Sequence, residues 1–321
     1  MSSQKLQINI FGGIMFLYLG LAMVGGFLLA NQNPINADLR KTFGSPFLTS
    51  AFSNLMGSIF LGLITVVTTK ALFPSWTFVI QQPAWIWLGG LLGGIFLTSN
   101  VLLFPRLGAV QTVILPILGQ IIMGTLIDTC GWFGAMQLSI GGTRITGILI
   151  TLIGVLVAVV LPNLKEKSQN QKQKGLILWR LWAIFVGALS AMQQAINGHL
   201  GVLLGNSAQA AFLSFLIGFL AILFVSLFAD KRVPNLSDFK KMKPWNYIGG
   251  ILGGTFVLAT VLAVPQIGAG LTIMMGLLGQ ILGSMLVQQF GWWRSERYQI
   301  QVWQVVGIAT MLVGIVIIKF L

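Results

Sequence analysis

Apolar residues fall in long runs separated by short polar or helix-breaking stretches. Ten such runs stand out, at 9–30, 47–69, 84–104, 108–128, 142–161, 178–198, 207–229, 245–264, 268–288 and 300–320. Each is close to the ~20 apolar residues that carry an α-helix across a bilayer. Asn33-Pro34, Gly44-Ser45-Pro46, Pro74 and Pro105-Arg106 punctuate the first half. The stretch 163–174 (NLKEKSQNQKQK) is the most polar in the chain and reads as a solvated linker. The pattern predicts an all-α membrane protein of ten transmembrane helices. A first five-helix repeat occupies 1–162, a cytoplasmic polar linker 163–177 and a second repeat 178–321. The first run reads as a crossing rather than a removable signal peptide, because no tidy small-x-small site follows it and it has a counterpart at 178–198.

The two halves are copies. Residues 85–161 align with 245–321 at an offset of 160 without gaps, with 26 of 77 positions identical. Trp85-x-x-x-Gly89-Gly90-x-x-Gly93-Gly94 matches Trp245-x-x-x-Gly249-Gly250-x-x-Gly253-Gly254. Pro105-x-x-Gly108-Ala109 matches Pro265-x-x-Gly268-Ala269, and Leu118-Gly119-Gln120-Ile121 matches Leu278-Gly279-Gln280-Ile281. Gly131-Trp132 matches Gly291-Trp292. Upstream the offset is 161: Gln32, Asn36, Ser53 and Gly57 match Gln193, Asn197, Ser214 and Gly218. An odd number of crossings per copy makes the second copy enter the membrane upside down, which predicts an inverted repeat about an axis in the membrane plane.

Charge then predicts orientation. On alternating loops, one face receives Lys5, Lys70, Arg144 and Lys319, and the other receives the remaining fifteen of the 19 basic residues, from Arg40 and Lys41 to Arg294 and Arg297. Basic loops stay in the cytoplasm, so both termini are expected outside and the linker inside. Composition agrees with this class: 56% of the 321 residues are apolar and only 8% are charged. Such a chain cannot clothe a water-soluble body. The net charge of +13 follows from topology and not from nucleic-acid binding. The single cysteine, Cys130, excludes a disulfide framework or a CxxC metal site. One histidine, no Ser-His-Asp set, no Walker sequence and no metal-spaced ligands argue against an enzyme, a bound cofactor or ATP-driven transport by this chain alone.

Polar groups inside hydrocarbon are costly and normally face protein or water. Candidates at the ends of the first spans are Asn31, Gln32 and Asn36, with Gln193, Gln194 and Asn197 in the second half. Gln32 with Asn36, and Gln193 with Asn197, lie four apart and share a helical face. Pro34 and its Asn neighbours are expected to open the helix and expose backbone groups to a substrate. The bland alternative is capping at the membrane border. Gln120 and Gln280 lie mid-span, each after a glycine, with an interhelical bond as the alternative reading. Asn54 and Asn100 are similar but unrepeated.

Gly89, Gly90, Gly93 and Gly94, with Gly249, Gly250, Gly253 and Gly254, read as helix-packing glycines. Gly147 with Gly154, and Gly307 with Gly314, mark faces of the last helix of each half, for a homodimer through the fifth and tenth helices or for internal packing. Trp85 and Trp245 mark helix starts. Of six acids, Asp38 is expected to pair in solvent with Arg40 and Lys41. Asp128 borders a span, and with His199 it is the candidate for proton coupling.

The run Ala30-Asn31-Gln32-Asn33-Pro34-Ile35-Asn36-Ala37-Asp38-Leu39 followed by Gly44-Ser45-Pro46 resembles the opening of YdcZ-type members of the drug/metabolite transporter superfamily. So do Trp-x-x-x-Gly-Gly, Pro-x-x-Gly-Ala and Gly119-Gln120, in order and twice. The resemblance covers nearly the whole chain and is to a fused, two-unit form. It implies a plasma-membrane transporter with a central cavity lined by the first four helices of each half, the fifth being peripheral. Ten-helix relatives in the superfamily usually keep both termini inside, against the charge count here. No membrane-embedded Glu of the small multidrug pumps is present, which weighs against a multidrug or organic-cation exporter. The expected function is a secondary transporter moving a small polar metabolite by alternating access. A non-transporting membrane scaffold is the alternative, with membrane lipid and the solute as partners and no nucleic acid.

Overall fold

The computed structural model describes residues 2–163, 176–229, 236–295 and 297–320, the side chains of 2–12, 101, 104–105, 108–114, 163, 236 and 319–320 aside. The charged linker therefore lies outside the described residues, as do Glu166, Asp230 and Glu296. Every regular element among the described residues is helical. In chain order they are α1 (Ser2–Phe43), α2 (Pro46–Thr69), α3 (Trp76–Gln81), α4 (Leu88–Cys130), α5 (Gly142–Asn163), α6 (Leu176–Leu204), α7 (Ser207–Ala229), α8 (Leu236–Lys241), α9 (Ile248–Ile267), α10 (Ala269–Phe290) and α11 (Val302–Phe320). Among the described residues seven helices are long and apolar enough to cross a membrane, and Ala84–Asn100, Leu115–Cys130 and Val302–Ile318 are shorter apolar stretches. With no water in the hydrocarbon to satisfy free backbone groups, helices are the form such segments take.

Local chemistry sets the helix ends. Gly44 holds φ at 69°, Ser45 accepts the amides of Phe47 (3.1 Å) and Leu48 (3.2 Å), and Pro46 occupies the first helical position. A left-handed glycine, a serine cap and a proline at N1 make a sharp hairpin turn between α1 and α2. Gly131 (φ 64°) and Gly291 (φ 65°) end α4 and α10 in the same left-handed way.

Two expectations are corrected. Pro34 does not open α1, which runs helical through it to Phe43. The proline removes only one backbone donor, and a helix in an apolar, tightly packed setting tolerates that. The amides of α1 and α6 consequently lie within helices and not at their ends. The expected break at Pro105-Arg106 is also absent as a loop, since Leu88–Cys130 is one helical run of 43 residues. It nevertheless doubles back. Gly89, Gly93 and Arg106 meet Asn197, Gln193 and Trp179 in turn down α6, whereas Pro116 and Gly119 are back at Gly187 and at Ile184 and Ala188.

The principal neighbours of each long helix belong to the other half. α1 packs on α9 and α10, α6 on α4, α2 on α7, and α5 on α11. α2 and α7 are antiparallel: Asn54 meets Gly218, Gly57 meets Phe215 and Gly62 meets Phe212. α5 and α11 are antiparallel as well, with Gly147 against Gly314 and Ile318, and Gly154 against Gly307 and Met311. These four glycines are thus used inside one chain. The largest apolar core surrounds α10 and includes Met274, Leu277 and Ile281 with Ala22 of α1 and Ile121 and Ile127 of α4.

Candidate functional site

The interior amides gather into two matched clusters. In the first, Gln32 Nε2 of α1 donates to Ser53 Oγ of α2 at 3.0 Å, and both groups are buried. Asn36, one turn further along α1, is buried too. A Cβ added at Gly249 would stand 3.0 Å from Asn36 Oδ1, and one at Gly253 would stand 2.5 Å from Gln32 Nε2. In the second cluster Asn197 Nδ2 of α6 donates to Ser214 Oγ of α7 at 2.9 Å. Asn197 lies against Gly89, and Gln193 against Gly93. The glycines of the Trp-x-x-x-Gly-Gly-x-x-Gly-Gly motifs therefore do two things. Gly90 and Gly250 let backbones touch, at Ser214–Gly218 and Ser53–Gly57, while Gly89, Gly93, Gly249 and Gly253 leave room for amides of the opposite half.

Each cluster is closed at one end by aromatic rings on a turn with strained backbone. Phe133 and Trp293 both hold φ at 58°, a region costly for bulky residues. Trp293 Nε1 donates to Asn31 Oδ1 at 2.9 Å, and the Asn31 amide donates to Phe27 O at 2.9 Å. Trp245 Nε1 donates to Asp38 Oδ2 at 3.1 Å, with the Lys243 ammonium 5.2 Å and the Arg294 guanidinium 5.9 Å from its ring centre. At the other end Trp85 stacks on His199 (5.6 Å, 21°) and meets Phe133 at a tilt of 54° (5.7 Å). Asp38 and His199 are repeat counterparts, as are Trp245 and Trp85. Asp38 therefore binds an indole and not, as expected, the neighbouring cations in solvent.

Other candidates lie apart from the clusters. Gln120 is buried and Gln280 half-buried, each one residue beyond a glycine that packs on the first helix of the opposite half: Gly119 on Ile184 and Ala188, Gly279 on Met23 and Phe27. Those contacts are roughly two helical turns from Gln193 and Gln32 at ~1.5 Å per residue. Asn54 donates to Ser50 O at 2.9 Å and Gln194 to Ser190 O at 3.4 Å; Asn100 is half-buried. Asp128 is fully buried. Its Oδ1 accepts the Ala269 amide (2.7 Å), and its Oδ2 accepts the Gly270 amide (2.9 Å) and Arg144 Nη2 (2.7 Å). It caps the N-terminus of α10 from a different helix while pairing with a cation. Ser53 and Ser214 were not site candidates in the sequence, although both are duplicated. Serine in a helix ordinarily bonds its own backbone, so the hydroxyl gives no sign of reaching across.

The interior is closely packed. Among the described residues there is a cleft of about 180 Å³ bounded by Phe47, Gly94, Thr98, Ser99, Ile222 and Val225, and one of about 50 Å³ beside Phe133, His199 and Pro265. No group of three or more His, Cys, Asp or Glu suited to a metal occurs among the described residues.

Regular structure that is all helical among the described residues, seven membrane-length apolar helices among them, and polar amides sequestered between two sequence-related halves make this a multi-pass membrane protein. The family model described as "Putative inner membrane exporter, YdcZ" matches residues 17–157 and again 178–317, and the chain belongs to that drug/metabolite transporter family. No curated protein matches. Among solved structures, a chain described only as "Crystal structure of protein" is similar over 93% of this chain and 96% of its own, with a TM-score of 0.63 at 15% identity, a likeness of fold.

Proposed function

We propose that the protein is a secondary transporter that moves a small, uncharged polar solute out of the cell by alternating access between two inverted five-helix repeats. Ten crossings follow when the doubled-back α4 is counted as two. The observation that carries this reading is the reciprocal set of contacts between halves. α1 offers Gln32 and Asn36 to Gly253 and Gly249, and α6 offers Gln193 and Asn197 to Gly93 and Gly89. The antiparallel match of α2 with α7 and of α5 with α11 supports the inverted arrangement. Both termini and the Asp128–Arg144 end then face outward, and the linker and the Asp38–Trp245 end face the cytoplasm, in keeping with the fifteen-to-four division of basic residues.

Amides bind uncharged polar groups well, because each both donates and accepts. Gln32, Asn36, Gln193 and Asn197 form the inner ring of that site, with Asn31, Gln194, Gln120, Gln280, Asn54 and Asn100 further out. Close packing of the amides on glycines corresponds to a closed, solute-free state. Export is the direction in the family's description. The arrangement does not favour organic cations, since Asp128 is already neutralised by Arg144 and two backbone amides. The outward faces of α5 and α11, with Leu149, Ile153, Val305 and Val316 exposed, suit lipid or a second copy of the chain.

Thermal-shift screening of the purified protein against sugars, nucleosides, amino acids and organic cations selects a ligand, and liposomes then measure its flux. Saturable flux of a neutral polar solute, reduced tenfold or more by Asn36→Ala with Asn197→Ala, is expected. Absence of flux across the whole panel favours a scaffold.

A further inference from the structure

The two clusters contain the same three side chains but bond them differently. Gln32, Asn36 and Ser53 correspond to Gln193, Asn197 and Ser214 at one offset, 161 residues. In the first, the serine hydroxyl receives the glutamine amide. In the second, it receives the asparagine amide. In the first cluster Asn36 Oδ1 is also buried without a hydrogen-bond partner. Gln193, released by Ser214, is half-buried against Gly93.

We infer that each serine is a two-position acceptor, and that Ser53 and Ser214 exchange partners in opposite senses when the halves exchange conformations. This rests on the inverted-repeat transporter reading. In the state described, Ser53 holds Gln32 and Ser214 holds Asn197. In the exchanged state, Ser53 holds Asn36 and Ser214 holds Gln193. Each state therefore has two serine–amide bonds, so the two are balanced in that respect. A carrier needs that balance, because an equilibrium tilted strongly to one side leaves the other face rarely open. Ser53 and Ser214 are positioning residues here, since they set which amide is free.

The inference makes a crossed prediction that simple packing does not. Gln32→Ala and Asn197→Ala each delete a bond of the present state only, so both favour the exchanged state. Asn36→Ala and Gln193→Ala each delete a bond of the exchanged state only, so both favour the present one. Matched residues in the two repeats thus act oppositely.

Two matched label pairs on exposed positions report the exchange: Cys130 with Val202→Cys at one end, and Phe290→Cys with Lys41→Cys at the other in a Cys130→Ser background. Spin-label distances in reconstituted full-length protein are expected to show two populations in each pair. Their ratio should move at least threefold one way for Gln32→Ala and Asn197→Ala, and the other way for Asn36→Ala and Gln193→Ala. The Ser53→Ala/Ser214→Ala variant should leave the four substitutions without opposed effects. If one amide variant does not fold, its partner in the same direction serves in its place. Two populations in the parent with all four variants shifting alike, or none shifting, overturns the switch and leaves alternating access standing. A single fixed distance in both pairs, in parent and variants, overturns both.

Discussion

Asp128 is the residue whose role is best defined by its bonds. It is fully buried, yet it satisfies the first two amides of α10 and the Arg144 guanidinium. Removing one member of a buried charge pair costs about 3–5 kcal/mol, because the other is left uncompensated. Asp128→Ala is expected to lower stability by an amount of that order, and Asp128→Asn by less, since its carbonyl oxygen still accepts from the backbone. Thermal unfolding in detergent measures both; a drop in Asp128→Asn as large as in Asp128→Ala would deny the capping role. Nothing in the sequence marks this arrangement. Asp128 has Gln288 as its repeat counterpart and Arg144 has Gln304, so the pair is invisible to the duplication, and its backbone partners lie some 140 residues away. Gln32, Asn36, Gln193 and Asn197 were legible as a group because duplication singled them out. Which groups they touch was not legible, because spacing along one helix says nothing of the helix opposite.

At the scale of elements, glycine positions decide what can approach what. Gly279 and Gly119 pack on backbone of α1 and α6, so a side chain there meets atoms that cannot step aside. Gly279→Val is expected to abolish accumulation of folded protein. Gly20, in the middle of α1, has nothing near its missing side chain. Gly20→Ala is expected to raise stability by up to ~1 kcal/mol, the ordinary helix preference of alanine. Size-exclusion profiles and unfolding midpoints of the two variants test the contrast. The long helices themselves were readable from hydropathy: α7 spans Ser207–Ala229, the run the apolar pattern marks, and α2 starts one residue before its run. The errors fell at prolines. Pro34 read as a break, but a helix keeps its course through a missing donor when neighbours pack against it, and at Pro105 the helical run is unbroken although it turns back along α6. The six-residue α3, with Trp76 and Ile80 exposed, was too short for periodicity to announce.

At the scale of the molecule, the halves interlock and do not merely abut. The first helix of each lies on the glycine-rich helices of the other, and the last helices clasp through Gly147, Gly154, Gly307 and Gly314. Neither half can bury its apolar faces alone. Residues 1–162 or 178–321 expressed singly are expected to aggregate or be degraded, and co-expressed halves to co-purify. The duplication made the existence of two units readable, while their mutual grip depends on register between helices distant in sequence. The central claim is that the copies oppose one another across the membrane. Ser139 and Gln299 are exposed repeat counterparts on the turns before α5 and α11. Cysteines at these positions, introduced one at a time in a Cys130→Ser background, can be challenged with a membrane-impermeant maleimide in intact cells and in inverted vesicles. The account predicts that Ser139→Cys reacts only from outside and Gln299→Cys only from inside; reaction of both from the same side would contradict it.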